Sequence, residues 1–161
     1  MIKIFTTGGT IDKVYFDVKS LFAVGMSQTS ALLENASFEP EFEVEELFRK
    51  DSLDMTKEDR TLICERVSRD AARRILITHG TDTMVETALA LGSIPDKVIV
   101  LVGSLSPARF KGSDAEFNIG FAMGALQTLA PGVYVAMNGC VFRPDDVRKN
   151  REENRFESLD R

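Results

Sequence analysis

Between Arg74 and Met137 the chain has three apolar runs: Arg74-Ile75-Leu76-Ile77-Thr78, Lys97-Val98-Ile99-Val100-Leu101-Val102 and Val133-Tyr134-Val135-Ala136-Met137. Each is too short for a helix, and segments of helical period separate them. A strand that is apolar on both faces must be covered on both, and a parallel sheet between two helical layers does this. Ile2-Lys3-Ile4-Phe5-Thr6 reads as a first strand, and Phe42-Glu43-Val44 alternates like a half-buried one. Helices are expected from near residue 28, with Ala31, Leu32 and Leu33 as the apolar face, and after Thr56, which has Asp59 three residues on as in an N-terminal cap. Two more are expected over Thr83 to Leu91 and Asp114 to Leu129. The order predicts one α/β domain over residues 1–161: three layers, doubly wound, with a mostly parallel sheet of about five strands.

Ligands of such sheets gather outside the carboxyl ends of the strands, which directs attention to the loops after residues 6, 78, 102 and 137. The stretch from Ile11 to Gln28 is too long for a simple connection and is expected to act as a lid. Residues 143–161 are dense in charge and read as a solvated helix or tail. The net charge of −5 argues against nucleic acid or an anionic membrane as partner. No run approaches the roughly 18 apolar residues that span a bilayer. The N-terminus turns polar and glycine-rich too early for a signal peptide, so a cytoplasmic location is expected. Cys64 and Cys140 form no C-x-x-C, and His79 is the single histidine, so neither a disulfide framework nor a metal site is expected.

Two strand ends carry turns rich in glycine and hydroxyls, Thr7-Gly8-Gly9-Thr10 and His79-Gly80-Thr81-Asp82-Thr83. Glycines let backbone N–H groups approach a ligand, and threonine hydroxyls become nucleophiles when activated. Thr81 or Asp82 could equally cap the following helix. His79 reads as a turn or packing residue. Phe110, Phe117, Phe121 and Met123 read as core or interface.

Together the two turns resemble the bacterial-type L-asparaginase and glutaminase family. The resemblance extends over Asp51-Ser52-Leu53-Asp54-Met55, Gly103-Ser104-Leu105-Ser106-Pro107, Ser113-Asp114 before Phe117-Asn118, Ala136-Met137-Asn138, and Asp146-Val147-Arg148-Lys149. It implies the fold of that family's N-terminal domain and a short, single-domain member. It also implies hydrolysis of the side-chain amide of a small amino acid, L-asparagine first, through an acyl-enzyme and without a cofactor or metal. By resemblance Thr7 matches the nucleophile, and Thr81, Asp82 and Lys149 match the group that completes the catalytic set. Ser52, Gly80 and Asp82 match substrate-binding positions. Two positions depart from the pattern: Leu53 stands where the family has a glutamine, and Phe22 where it has a tyrosine, leaving Tyr15 as the nearby substitute. Family sites are completed by a neighbouring subunit, so a homo-oligomer, at least a dimer, is expected. Two other readings remain open: a module or pseudoenzyme that binds a small amino acid or anion without turnover, and an amide or N-glycosidic hydrolase of another substrate.

Overall fold

In the computed structural model, which describes every residue except 17–20, 93, 160 and 161, the chain starts in β1 (Ile2–Gly8), buried along its whole length. A short 3-10 turn leads into an antiparallel hairpin, β2 (Lys13–Phe16) and β3 (Leu21–Val24). Helix α1 (Thr29–Asn35) then returns the chain to β4 (Phe42–Lys50), parallel to β1. Helix α2 (Lys57–Arg69) crosses to β5 (Arg74–Thr78), which pairs with the other side of β1. From there α3 (Met84–Leu91), β6 (Val98–Val102), α4 (Ala115–Thr128) and β7 (Gly132–Met137) add strands in sequence. The sheet order is β4-β1-β5-β6-β7, closed by an antiparallel edge strand β8 (Cys140–Phe142). Helix α1 packs with α4 and α2 with α3, so the apolar strands lie between two helical layers.

The core is the set of residues that the strand pattern implied: Ile4, Ile75, Leu76, Ile77, Ile99, Val100, Leu101 and Val135 are fully buried. Helix α2 starts where its cap signal stands, with Asp59 N–H donating to Thr56 Oγ1 and Thr56 N–H to Asp59 Oδ2. The sheet has six strands rather than about five, because Asn138 and Gly139 take φ of 54° and 74° and turn β7 back into β8. An Asn-Gly pair with both φ positive is the tight hairpin turn that matches strand twist.

The charged C-terminal segment is also more ordered than expected. After a 3-10 turn at Pro144–Asp146 it forms a second hairpin, β9 (Arg148–Asn150) and β10 (Arg155–Glu157). Buried Val147 and Phe156 anchor this hairpin, and Phe156 N–H donates to Asn138 Oδ1. The expected lid is largely the β2–β3 hairpin; its residues 17–20 lie outside the described residues.

Two features hold the loops at the carboxyl edge. Gly9 (φ +92°) lies flat against Gly80, where a Cβ on Gly9 would fall 2.5 Å from Gly80 Cα and N. Gly80 in turn lies against Ser52, whose Cβ and Oγ would be 2.6 Å from an added Cβ. The base of the β2–β3 hairpin is closed by buried Asp12. Its carbonyl accepts from Gly25 N–H at 2.8 Å, and its Oδ1 accepts from Gln28 N–H at 2.9 Å.

Both features give measurable expectations. Gly9→Ala combines a positive φ with overlap against backbone, and should cost at least about 3 kcal/mol in a urea unfolding titration. A cost below about 1 kcal/mol would mean the turn has room to relax. Burial pushes the Asp12 carboxyl up to about 6, against the hydrogen bonds from Gln28 and Ser27 and the charge of Arg49, and with Glu46 raising it further. The folded state therefore binds this proton more tightly than the unfolded chain. Its contribution is largest below the ordinary carboxylate value near 4 and is lost as pH rises through 6. Asp12→Asn should remove roughly 2 kcal/mol of that pH dependence between about pH 4 and pH 7. Parallel stability-versus-pH curves for wild type and variant would refute the shift.

Candidate active site

Every chemically notable loop emerges at one edge of the sheet, around the strand where the winding reverses. The chain leaves β1 for β4 on one side and then crosses to β5 on the other, so the carboxyl ends of β1, β4 and β5 flank a crevice. Three turns line it: residues 7–10 at the end of β1, 51–54 after β4 and 79–83 after β5.

The Thr81, Asp82 and Lys149 side chains are in direct contact, although 67 and 68 residues separate the lysine from its partners. Lys149 Nζ donates to Thr81 Oγ1 at 2.8 Å and to Asp82 Oδ1 at 2.9 Å. The lysine side chain retains only 14% of its exposure, so the carboxylate supplies the counter-charge its burial requires. The path that brings it there is the antiparallel β8, the Pro144–Asp146 turn and the docked β9–β10 hairpin. Arg151, in the turn between β9 and β10, reaches within 3.9 Å of the same Asp82 oxygen.

Thr7 is fully buried, and its hydroxyl donates to the carbonyl of Thr78 at 2.9 Å, joining the ends of β1 and β5. Ser52 is also buried, and its Oγ has no partner among the described residues. A buried hydroxyl left unpaired costs about 1–3 kcal/mol, so this oxygen is a natural place for a ligand's polar group. Thr83 Oγ1 donates to the Ser52 carbonyl at 2.8 Å and ties the two turns together. Thr83 is the residue that precedes α3, and it makes no side-chain cap there; neither do Thr81 and Asp82. Gly80 contributes by its missing side chain, as the surface against which Gly9 and Ser52 close.

Tyr15 is placed differently. It is half-exposed on β2 and tilts against Phe22 across the hairpin, with ring centroids 5.3 Å apart, and no hydrogen bond joins it to Thr7. Phe22 leans on Phe110 at 6.0 Å, and Ala108 N–H donates to the Ile11 carbonyl, so the hairpin rests on the loop after β6. Of the residues expected in the core or at an interface, Met123 is buried in the core, whereas Phe110 and Phe117 are exposed.

His79 is fully buried beneath the site. Its Nδ1 contacts the Gly80 carbonyl at 2.8 Å, which can only accept, so Nδ1 carries the proton and Nε2 accepts from Thr87 Oγ1, also at 2.8 Å. Burial pushes it down to about 4, so the ring is neutral at pH 7. This matches a packing role.

Three contributors had weak sequence signals. Lys13 pairs with Asp51 at 2.7 Å, bridging the hairpin base to the Ser52 turn. Burial alone would raise the Asp51 carboxyl, but the Lys13 ammonium, the Leu53 N–H and the nearby Lys149 hold it below the usual carboxylate range. Asp114 accepts from the N–H groups of Leu105 and Ser106 and from Asn118 Nδ2, fixing the turn after β6. The acids that follow or precede glycine- and serine-rich turns were the available signals. Among the described residues no cluster of His, Cys, Asp and Glu could hold a metal ion, and no helix is long and apolar enough to cross a membrane.

Comparison with known proteins matches residues 1–160 to the family model described as asparaginase, N-terminal. A probable periplasmic L-asparaginase of Haemophilus influenzae is 33% identical over 92% of this chain and 46% of its own length. The solved thermostable L-asparaginase of Thermococcus kodakarensis superposes with a TM-score of 0.85 at 29% identity, covering 99% of this chain and 51% of that one. A probable cytoplasmic L-asparaginase of Campylobacter jejuni gives the same TM-score and identity, covering 99% and 53%. The chain thus spans about half the length, or less, of the curated relatives it matches.

Proposed function

The chain belongs to the asparaginase family by its N-terminal domain, and from that premise we propose that it hydrolyses a side-chain amide in the crevice at the carboxyl ends of β1, β4 and β5. The observation that carries this reading is the Thr81–Asp82–Lys149 contact beside the Thr7-Gly8-Gly9-Thr10 turn. In this mechanism Thr7 Oγ attacks the amide carbon, and the tetrahedral oxyanion is met by N–H groups of the glycine turns. The C–N bond breaks, ammonia leaves with the proton lost by Thr7, and water then cleaves the ester to free the acid and restore Thr7. Lys149 and Thr81 relay protons, while Asp82 keeps the lysine in place and Ser52 Oγ bonds the substrate's carboxylate. Tyr15 would have to swing inward with the hairpin to assist Thr7.

The competing reading, binding of a small amino acid or anion without turnover, is favoured by one observation: the Thr7 hydroxyl is buried and engaged with the Thr78 carbonyl. We also place the protein in the cytoplasm and as a homo-oligomer. Both cysteines are free, which fits a reducing compartment, although relatives bear both periplasmic and cytoplasmic names. On α4 the exposed Phe117 stacks on Phe121 beside Gly120 and Gly124, an apolar face suited to a second copy.

Ammonia release from L-asparagine and other small amides tests the reading. Thr7→Val should abolish it, and Lys149→Met should lower kcat by about 100-fold or more with little change in KM. Full activity in Thr7→Val would remove Thr7 as nucleophile. Ligands that raise the melting temperature while no amide is cleaved would favour the binding module. Sedimentation equilibrium at micromolar concentration should show a dimer or larger species, and Phe117→Glu should dissociate it. A wild-type monomer would reject the oligomer.

A further inference from the structure

Asp82 is shared by two cations. Lys149 Nζ lies 2.9 Å and Arg151 Nη2 3.9 Å from the same oxygen, Oδ1. On the opposite rim Lys13 is paired with Asp51 at 2.7 Å. These contacts set three positive groups, Lys13, Lys149 and Arg151, against two negative ones, Asp51 and Asp82, an excess of one positive charge. A substrate carrying an α-ammonium would have to approach Asp82 within reach of both of its cations, and the like charges repel, least screened at Lys149, whose side chain is mostly buried. Leu53, which stands beside Ser52 and is mostly exposed, offers no polar atom to compensate.

Arg151 itself is free to do something else. Its side chain keeps 70% of its exposure, and at 3.9 Å its contact with Asp82 is too long for a hydrogen bond, so its planar fork of N–H donors remains available. That fork fits a carboxylate through two parallel hydrogen bonds. Arg151 sits on the turn between β9 and β10, the same hairpin that delivers Lys149, and Phe156 anchors that hairpin beside the crevice.

We propose that Arg151 is a specificity-determining residue that selects the terminal amide of a dicarboxylic acid lacking a free α-ammonium, by pairing with the remaining carboxylate of the substrate alongside Ser52 Oγ. The proposal rests on the amidohydrolase reading above. The bonds exchanged are the same: the amide C–N bond breaks, the C–O bond to water's oxygen forms, and ammonia leaves. What changes is the carrier of the amide, an acid without its amine or with that amine acylated.

Succinamate, N-acetyl-L-asparagine and L-asparagine differ only at the α-position and serve as probes for turnover. Succinate and L-aspartate serve for binding, read by calorimetry or by the rise in melting temperature. Wild type is expected to bind succinate at least about 10-fold more tightly than L-aspartate, and to favour succinamate or the acetylated amide over L-asparagine in kcat/KM. Arg151→Gln, at an exposed turn, should shift both ratios by about 10-fold toward the amine-bearing compound. An equal or reversed preference in wild type, ratios unmoved by Arg151→Gln, or binding of neither acid would overturn the proposal. Absence of ammonia from every amide would sink the hydrolase reading instead, and the order of acid binding would still decide the role of Arg151.

Discussion

The contact of Gly9 with Gly80 sets the dimensions of everything at the carboxyl edge. In a parallel sheet, neighbouring strands are held about 4.8 Å apart by their hydrogen bonds, but the loops beyond them ordinarily splay to make room for side chains. Here β1 and β5 run in register to Thr6 and Thr78, and the chain beyond stays close because no Cβ intervenes. Thr7 then reaches the Thr78 carbonyl, and Gly80 presses on Ser52. Ser52 is in turn fixed by Thr83, and its neighbour Asp51 by Lys13. The crevice is therefore an outcome of absent atoms as much as of present ones.

Charge is arranged in two levels. Beneath the crevice His79 is neutral, cross-linking the Gly80 carbonyl to Thr87 of α3 with no formal charge to solvate. The ions lie above it, in the rim, where Lys149, Arg151 and Lys13 meet Asp82 and Asp51 with partial access to water. A buried ion pair is a poor source of stability but a good device for fixing geometry when its hydrogen bonds are complete. Such a rim costs the fold little and keeps its charges free for a ligand.

Much of this was legible from local rules. Strands of continuous aliphatic residues gave the sheet, Thr56 and Asp59 gave the start of α2, and the two glycine turns marked the site. What lies outside those rules has local causes too. Asn138-Gly139 is a strong hairpin signal, yet the short Cys140–Phe142 that follows it has too few residues to register as a strand. From Arg143 onward, charge hides the apolar anchors Val147 and Phe156, so a docked hairpin reads as a solvated tail. Length alone marks the Ile11–Gln28 stretch as a lid; its pairing of Lys13–Phe16 with Leu21–Val24 depends on cross-strand partners that periodicity does not reveal. Resemblance alone points to Lys149; nothing in a run of charges distinguishes the one that turns inward. Buried Asp12 carries no sequence signal, because an acid after a glycine turn ordinarily faces water.

Both cations that reach Asp82 come from the β9–β10 hairpin, an element outside the six-stranded sheet. Without that hairpin docked, Thr81 and Asp82 stay in place on the sheet but neither cation pairs with the carboxylate, leaving Asp51 and Asp82 against Lys13 alone. Local opening of one small element, held by Val147 and Phe156, would therefore reverse the sign of the charge around the crevice while the sheet stays folded.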